Sequence, residues 1–189
     1  MQRSRQELVD VLRTSELLYS SEAVAEAFDT MTGRINDQLG ETLGENDLLV
    51  LPVLKGGMYP AVHVMARLTV PFTLDYLHAS RYAGGLEGGE LTWRAEPYTS
   101  LEGRTVLIID DIFDYGQTLE AIVEYCQRAG AAVVYSATFV MKRREEYVSD
   151  YRPDFFGVEV DDRYIFGCGM DYEEYFRGLP ELRALPLEG

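Results

Sequence analysis

The segment at residues 106–119 constrains the fold more than any other part of the sequence. Its first four residues are apolar and mostly β-branched, which predicts a short buried strand. An acidic loop follows, and the next apolar residues recur at the spacing of one helix face: Leu119, Ile122, Val123 and Cys126. In α/β proteins, ligands bind beyond the carboxyl ends of parallel strands. The segment therefore predicts an α/β sheet with a ligand site at the end of this strand.

The acidic loop contains Asp110, Asp111 and Asp114 within five positions. Three carboxylates so close together repel one another, and a purely structural turn has little reason to keep them without a cation nearby. Their oxygens suit sugar hydroxyls or a hydrated Mg²⁺. The backbone N–H groups around Gly116 and the following helix N-terminus can bind a phosphate. The alternative is a solvated acidic turn with no ligand.

The order of this segment is a hydrophobic strand, two acidic residues, two apolar residues, Asp, any residue, Gly, any residue and Thr. It resembles the signature with which type I phosphoribosyltransferases bind 5-phosphoribosyl-1-pyrophosphate (PRPP). The resemblance implies the type I phosphoribosyltransferase fold, an α/β architecture with a parallel-rich central sheet flanked by helices, a small hood subdomain and a flexible lid hairpin. It implies PRPP contacts from Asp110, Asp111, Asp114, Tyr115, Gly116, Gln117 and Thr118. Asp114 would also act as the catalytic base, and Asp110 and Asp111 would help to hold Mg²⁺.

A second strand, predicted at residues 48–54, leads into Lys55, Gly56 and Gly57. This pattern resembles the family loop that binds pyrophosphate, in which the bond before the lysine is a cis peptide. Lys55 and Gly56 would then contact PRPP, although an ordinary glycine turn with an exposed lysine fits the same three letters. Lysine is rare in this chain, because 15 of the 17 basic residues are arginine and the other two are Lys55 and Lys142.

A strand is predicted at residues 72–77, and the following residues 79–93 contain four glycines between β-like segments. Such a segment is typical of a long flexible hairpin. It resembles the mobile lid of the family, whose closure would shield a reactive sugar cation from water. Arg81 and Tyr82 occupy the lid positions, and a hairpin tip without a role is the alternative.

Three C-terminal elements narrow the resemblance to the 6-oxopurine branch, the hypoxanthine-guanine phosphoribosyltransferases. They are a predicted strand at residues 131–141 that leads into Lys142 and Arg143, the run Pro-Asp-Phe-x-Gly-x-Glu from Pro153, and the residues from Met170 to Arg177. The resemblance extends from about residue 48 to about residue 185. The chain departs from the family at Tyr115, where many members have Thr, at Gln117, and at Arg81 in the lid. Phosphate binding would therefore depend more on backbone N–H groups and Thr118.

The resemblance also implies purine contacts. Lys142 would donate to the purine O6, which fits a 6-oxo group and opposes a 6-amino group. Tyr164 would stack on the base, and the Ile165 backbone and the neighbourhood of Asp171 would contact the purine edge at position 2. Asp171 would help to hold a second Mg²⁺, and Arg177 would contact pyrophosphate. The alternatives are a core tyrosine, a solvated lysine at a strand end, and a helical pair between Arg177 and Glu173.

The length of 189 residues fits one domain, with a core at about residues 40–150. The hood would comprise the N-terminal helices and about residues 151–189; residues 6–40 are predicted as two helices, the second capped at Ser21. The net charge of −15 argues against nonspecific binding to nucleic acid or an anionic membrane. No membrane-spanning run or signal peptide is evident. Cys126 and Cys168 lack metal spacing, which favours buried thiols in a reducing cytoplasm.

The sequence thus predicts an enzyme that transfers the phosphoribosyl group of PRPP to N9 of hypoxanthine or guanine with Mg²⁺, giving IMP or GMP in purine salvage. Family resemblance suggests a homo-oligomer, either a dimer or a tetramer. Two alternatives remain open. One is a regulatory protein of the same fold that senses PRPP or nucleotide, and the other is a phosphoribosyltransferase for xanthine or a pyrimidine.

Overall fold

A computed structural model describes residues 3–43, 47–81 and 91–186. Its core is a five-stranded parallel sheet flanked by helices, with a three-stranded sheet and a two-stranded hairpin beside it. In chain order the elements are α1 (Arg5–Thr14), β1 (Glu16–Tyr19), α2 (Ser21–Thr42), β2 (Leu48–Pro52), α3 (Met58–Met65), β3 (Phe72–Leu74), β4 (His78–Arg81), β5 (Leu91–Ala95), β6 (Thr105–Phe113), α4 (Gln117–Arg128), β7 (Val133–Arg143), β8 (Phe155–Asp161), β9 (Ile165–Phe166) and β10 (Leu182–Ala184).

The central sheet has the strand order β3-β2-β6-β7-β8, and every neighbouring pair is parallel. Both faces are apolar because helices cover both: α2 and α3 pack on one side, and α4 packs on the other. This confirms the predicted α/β class with a parallel-rich sheet. Because the strands run in the same direction, the loops that follow β2, β6 and β7 all leave from one edge of the sheet.

The second sheet joins the two ends of the chain. Its order is β1-β10-β9, and both pairs are antiparallel. The strand β1 lies between two helices, where the sequence predicted only helix, because its extended conformation is fixed by pairing with β10 far along the chain. The predicted cap at Ser21 is also wrong by one residue: the side chain of Ser20 accepts the hydrogen bond from the Ala23 N–H.

The strands β4 and β5 form an antiparallel hairpin at the predicted position of the lid. Residues 82–90 lie outside the described part of the chain. The prediction for Tyr82, and that for the side chain of Arg81, therefore fall outside the described structure as well.

Several strand boundaries differ from prediction. The strand β6 continues through Phe113, so Asp110 and Asp111 lie within the strand rather than after it. The strand β3 ends at Leu74, and Leu77 instead forms a separate bridge with Val53. The strand β6 is longer because it pairs with β7 as far as Phe113, whereas β3 pairs with β2 only as far as Leu74. Sequence patterns do not show which residues find a partner strand. Within the described ranges, no helix is long and apolar enough to cross a membrane.

Candidate active site

The carboxyl edge of the central sheet brings together three segments that are distant in sequence. Residues 53–57 follow β2, residues 110–118 span the end of β6 and the start of α4, and residues 142–144 follow the buried part of β7. A fourth segment, residues 162–178, here called the hood, lies against them through the pairs Glu174–Lys55 and Asp162–Arg144. These segments contain all the predicted phosphate-, purine- and metal-contacting residues.

The loop after β2 contains a cis peptide bond between Leu54 and Lys55, as the family resemblance implied. The Gly57 N–H donates to the Val53 carbonyl at 2.9 Å, which closes the loop tightly before α3. The Lys55 ammonium is half-exposed and donates to Oε2 of Glu174 at 2.7 Å. Lys55 is thus a cation at the mouth of the site, paired with a carboxylate from the hood.

Asp110 and Asp111 are adjacent on β6, and the Asp111 N–H donates to Oδ1 of Asp110 at 2.9 Å. Burial, reinforced by the neighbouring Asp111 charge, raises the pKa of Asp110 well above its usual range. Burial also raises the pKa of Asp111, although its bond with Asp110 and the nearby Arg177 charge oppose the shift. This carboxylate pair is held in a setting that disfavours its own charge, as expected of groups that bind a cation or hydroxyls.

The loop after β6 enters α4 through Gly116, whose φ of 91° is left-handed and suits glycine. A Cβ at this position would also collide with the Phe113 ring, 2.8 Å away at Cζ. Gly116 is the N-cap of α4 and supplies no side-chain cap. Thr118 lies in the first turn of this helix, whose N-terminus suits an anion.

Lys142 lies at the end of β7 with its side chain only 12% exposed. Its Nζ is 3.6 Å from Oδ2 of Asp114 and donates to Oδ1 of Asp162 at 3.3 Å. A solvated strand end is therefore the wrong interpretation of this residue. The structure brings together Lys142 and Asp114, which the sequence assigned to O6 and to proton transfer, respectively.

Arg144 is the residue that the sequence analysis missed. Its Nε donates to Oδ1 of Asp114 at 2.7 Å, and its Nη1 donates to Oδ2 of Asp162 at 2.6 Å. The Tyr115 ring lies on its guanidinium, with Cζ 3.8 Å from the ring centroid. The run of three basic residues at the end of a predicted strand, opposite an acidic loop, was the only signal for this contact.

The hood forms the side of the site that lies opposite the central sheet. Tyr164 is 50% exposed, so it is not a core residue, and its hydroxyl donates to the Asp171 carbonyl at 3.4 Å. Ile165 is buried in β9 and pairs with Ala184 in β10. Burial raises the pKa of Tyr164 above its ordinary value.

Arg177 pairs with Asp171, with Nη2 2.7 Å from Oδ1, and its Nη1 donates to the Gly169 carbonyl at 3.0 Å. The alternative of a helical pair between Arg177 and Glu173 is wrong, because this segment is not helical and Glu173 accepts hydrogen bonds from Arg3 instead. Between Arg177 and the β2 loop lies an open cavity of about 440 Å³, which is lined by Lys55, Gly56, Met58, Tyr59, Gly169, Arg177 and Gly178. Cations from two sides of the site thus meet at one cavity.

The donor set fits Mg²⁺ that is held jointly with a phosphorylated substrate. The described residues contain no group of three or more His, Cys, Asp or Glu side chains that could hold an ion. They offer the adjacent pair Asp110 and Asp111 on one side, and Asp171 on the hood. Mg²⁺ commonly keeps several waters and binds through one or two carboxylates together with substrate phosphates, so this sparse set suits it.

Comparison with known proteins places this chain in a family. The model described as the phosphoribosyl transferase domain matches residues 15–173. The hypoxanthine-guanine phosphoribosyltransferase of Cricetulus griseus is 30% identical over 168 residues, covering 84% of this chain and 77% of that protein. The same enzyme of Homo sapiens is 28% identical over 158 residues, covering 78% and 72%.

Solved structures show the same fold. A hypoxanthine phosphoribosyltransferase from Staphylococcus aureus superimposes with a TM-score of 0.82 at 25% identity, covering 97% of each chain. A hypoxanthine-guanine phosphoribosyltransferase from Bacillus anthracis superimposes with a TM-score of 0.79 at 22% identity, covering 90% of this chain and 98% of that one.

Proposed function

Because the chain belongs to the phosphoribosyltransferase family, in its hypoxanthine-guanine branch, we propose that it transfers the 5-phosphoribosyl group of PRPP to N9 of hypoxanthine or guanine. The products are IMP or GMP and pyrophosphate, which makes this a purine-salvage reaction. The observation that carries the proposal is the pairing of Lys142 with Asp114, whose Nζ and Oδ2 atoms are 3.6 Å apart.

That pairing matches one edge of a 6-oxopurine. The carbonyl O6 accepts a hydrogen bond, and an N7–H beside it donates one, so the edge needs a donor next to an acceptor. Lys142 provides the donor and Asp114 the acceptor. A 6-amino group would direct its own hydrogens at the ammonium, and the site would disfavour it. Tyr164, half-exposed on the hood, offers an aromatic face on which the base stacks.

PRPP binds across the carboxyl edge of the sheet. The 5′-phosphate lies at the N-terminus of α4, against the backbone of residues 114–118 and the Thr118 hydroxyl. Asp110 and Asp111 accept hydrogen bonds from the ribose hydroxyls or from Mg²⁺-bound water. The pyrophosphate occupies the cavity between Lys55 and Arg177, and it displaces Glu174 and Asp171 as partners of those cations.

The reaction breaks the bond between C1 and pyrophosphate as the bond between C1 and N9 forms. Lys55 and Arg177 stabilise the negative charge that develops on the leaving group. As N9 uses its electron pair to bond C1, the proton on N7 passes to the Asp114 carboxylate, so the purine leaves the reaction neutral. When Mg²⁺ is bound with the substrate, Asp110 and Asp111 would hold one ion and Asp171 would help to hold a second, which would supply further charge neutralisation.

The chain's other properties fit this function. The two free cysteines described, Cys126 and Cys168, are both buried, and this agrees with a reducing cytoplasm. The net charge of −15 opposes nonspecific binding to nucleic acid or membranes. We also propose a single domain whose hood combines the two ends of the chain, and a homo-oligomer of two or four chains.

One assay tests the proposal. The purified protein is incubated with PRPP, Mg²⁺ and a panel of hypoxanthine, guanine, xanthine, adenine, uracil and orotate, and the products are identified by mass. We expect IMP and GMP, with adenine and the pyrimidines inert. If product forms only from xanthine or only from a pyrimidine, that base is the acceptor instead of hypoxanthine and guanine. Binding of PRPP or nucleotide without any product would favour a sensor.

A further inference from the structure

We propose, resting on the function above, that Arg144 is a positioning residue for the transfer step. It fixes the Asp114 carboxylate in one orientation and ties it to the hood segment that carries the purine-stacking tyrosine. Arg144 touches neither the reacting atoms nor the pyrophosphate cavity, so its effect passes through Asp114 and Asp162.

The first argument is that Arg144 donates hydrogen bonds to only one of the two carboxylate oxygens of Asp114. Oδ1 accepts from both Nε and Nη2 of the guanidinium, the Nε bond measuring 2.7 Å. Oδ2 receives none of these bonds and faces the Lys142 ammonium at 3.6 Å. Arg144 therefore saturates one oxygen and leaves the other for the purine edge, beside the donor for O6.

The second argument is the bridge to the hood. The same guanidinium binds both oxygens of Asp162, with Nη1 to Oδ2 at 2.6 Å and Nη2 to Oδ1 at 2.9 Å. Asp162 precedes Tyr164 by two residues in the turn before β9. One planar fork thus links the loop that carries Asp114 to the segment that carries Tyr164. Lysine cannot do this, because its ammonium lacks a fork of fixed geometry.

The third argument is enclosure. The Tyr115 ring covers one face of the guanidinium, with Cζ 3.8 Å from the ring centroid. The Arg144 side chain is only 11% exposed, whereas that of its neighbour Arg143 is 60% exposed in a surface pair with Asp161. Sheltered charge-assisted hydrogen bonds are stronger and better oriented than those at the surface. This contact gives a physical reason for Tyr115 in place of the threonine of many family members.

The fourth argument is charge balance. Arg144 and Lys142 together face the two carboxylates of Asp114 and Asp162. Without Arg144, Lys142 would be the only cation of this cluster, and the Asp114 carboxylate would turn toward it. The ammonium would then be occupied by carboxylate oxygens instead of O6, and Oδ2 would leave its orientation toward N7.

The test compares Arg144→Met and Arg144→Lys with the matched control Arg143→Met. Steady-state rates are measured with hypoxanthine and guanine at varied purine and varied PRPP, and thermal melts are recorded on the same preparations. We expect Arg144→Met to lower kcat about 10–100-fold and to raise the purine KM, the scale of a misplaced catalytic group. The PRPP KM should change by less than about threefold, since the cavity cations are untouched. Arg144→Lys should recover only part of the loss, and the control should resemble the unmodified protein.

The outcomes separate this inference from the proposed function. If the unmodified protein produces no IMP or GMP, the proposed function fails. If Asp114→Asn loses rate but a folded Arg144→Met does not, only the positioning role is overturned, and a lowered Tm alone would mark Arg144 as structural. Should Arg144→Met not fold, Arg144→Lys decides: unchanged kcat and purine KM in that variant overturn the inference, and a kcat loss with a constant PRPP KM supports it.

Discussion

Gly56 lies directly against the carboxylate of Asp111, so closely that a Cβ at Gly56 would overlap both its Oδ2 and its Cγ. The contact joins the loop after β2 to the end of β6, and Gly169 of the hood closes over the same aspartate, where an added Cβ would lie 3.0 Å from the Asp111 Cβ. Three segments distant in sequence thus meet around one carboxylate. The position of Asp111 depends on the absence of a side chain at two glycines.

This contact predicts the effect of Gly56→Ala. The methyl group has no space, so the Asp111 carboxylate or the loop must move, at a cost of about 1–3 kcal/mol. We expect a lower Tm and a raised PRPP KM. Gly33→Ala is the matched control, because an added Cβ there would meet no atom within 4 Å apart from the adjacent residues and backbone of α2 itself. It should stabilise the protein by roughly 0.5–1 kcal/mol. Normal PRPP kinetics in Gly56→Ala would contradict the tight packing.

Lys142→Ala tests the O6 contact. A hydrogen bond from a charged donor contributes about 1.5–3 kcal/mol. The kcat/KM for hypoxanthine and guanine should therefore fall by the corresponding factor, about 10–150-fold. PRPP affinity, measured by calorimetry, should stay near normal, because Lys142 lies among Asp114 and Asp162 rather than at the cavity. Unchanged purine use in the variant would remove Lys142 from the site.

Asp114→Asn tests the base. Asparagine has the same shape but accepts no proton, and general acid–base groups typically contribute about 10²–10⁴-fold. We expect a kcat loss in that range with little change in PRPP affinity, whereas Asp111→Asn should act mainly on PRPP affinity and metal demand. Stopped-flow or steady-state rates and thermal melts on one preparation provide the measurement. A destabilised Asp114→Asn protein with near-normal kcat would refute the assignment.

Asp110→Asn should stabilise the protein while impairing PRPP binding. Burial and the Asp111 charge raise the pKa of Asp110, which means that the folded protein disfavours the ionised carboxylate present in the unfolded chain at neutral pH. Removing that charge should raise Tm by about 2–4 °C for each kcal/mol relieved. Asp37→Asn, at an exposed position of α2, is the control and should leave Tm unchanged. A lower Tm in Asp110→Asn would show that the ionised form is stabilised instead.

Activity should require Mg²⁺ or Mn²⁺. Excess EDTA should abolish product formation, and added Mn²⁺ should restore it, because the carboxylates repel the pyrophosphate of the substrate unless a cation bridges them. The Tm of the free protein should respond little to EDTA, since the described residues form no metal cluster of their own. Full activity in excess chelator would contradict the proposed role of the acidic pair.

Local sequence patterns were sufficient to predict the central strand β6 and the helix α4 that follows it. The apolar run before Asp110 predicted the strand β6, although not its continuation through Phe113. The periodicity of Leu119, Ile122, Val123 and Cys126 predicted α4, and these four residues are buried as expected. Both signals are local. Burial of one helix face, or of a whole short strand, is encoded in the pattern of neighbouring residues. The strand β1 was missed for the opposite reason, since β10, the strand with which it pairs, lies at the other end of the chain.

The sequence by itself determined the fold class, the family and the chemistry available at the edge of the sheet. It could not determine which charges meet there. Only the tertiary structure placed Arg144 between Asp114 and Asp162, stacked Tyr115 on that guanidinium, and buried Lys142 beside them. Periodicity records which residues are buried, whereas ion pairs between loops depend on strand order and register, which only the assembled sheet and hood specify.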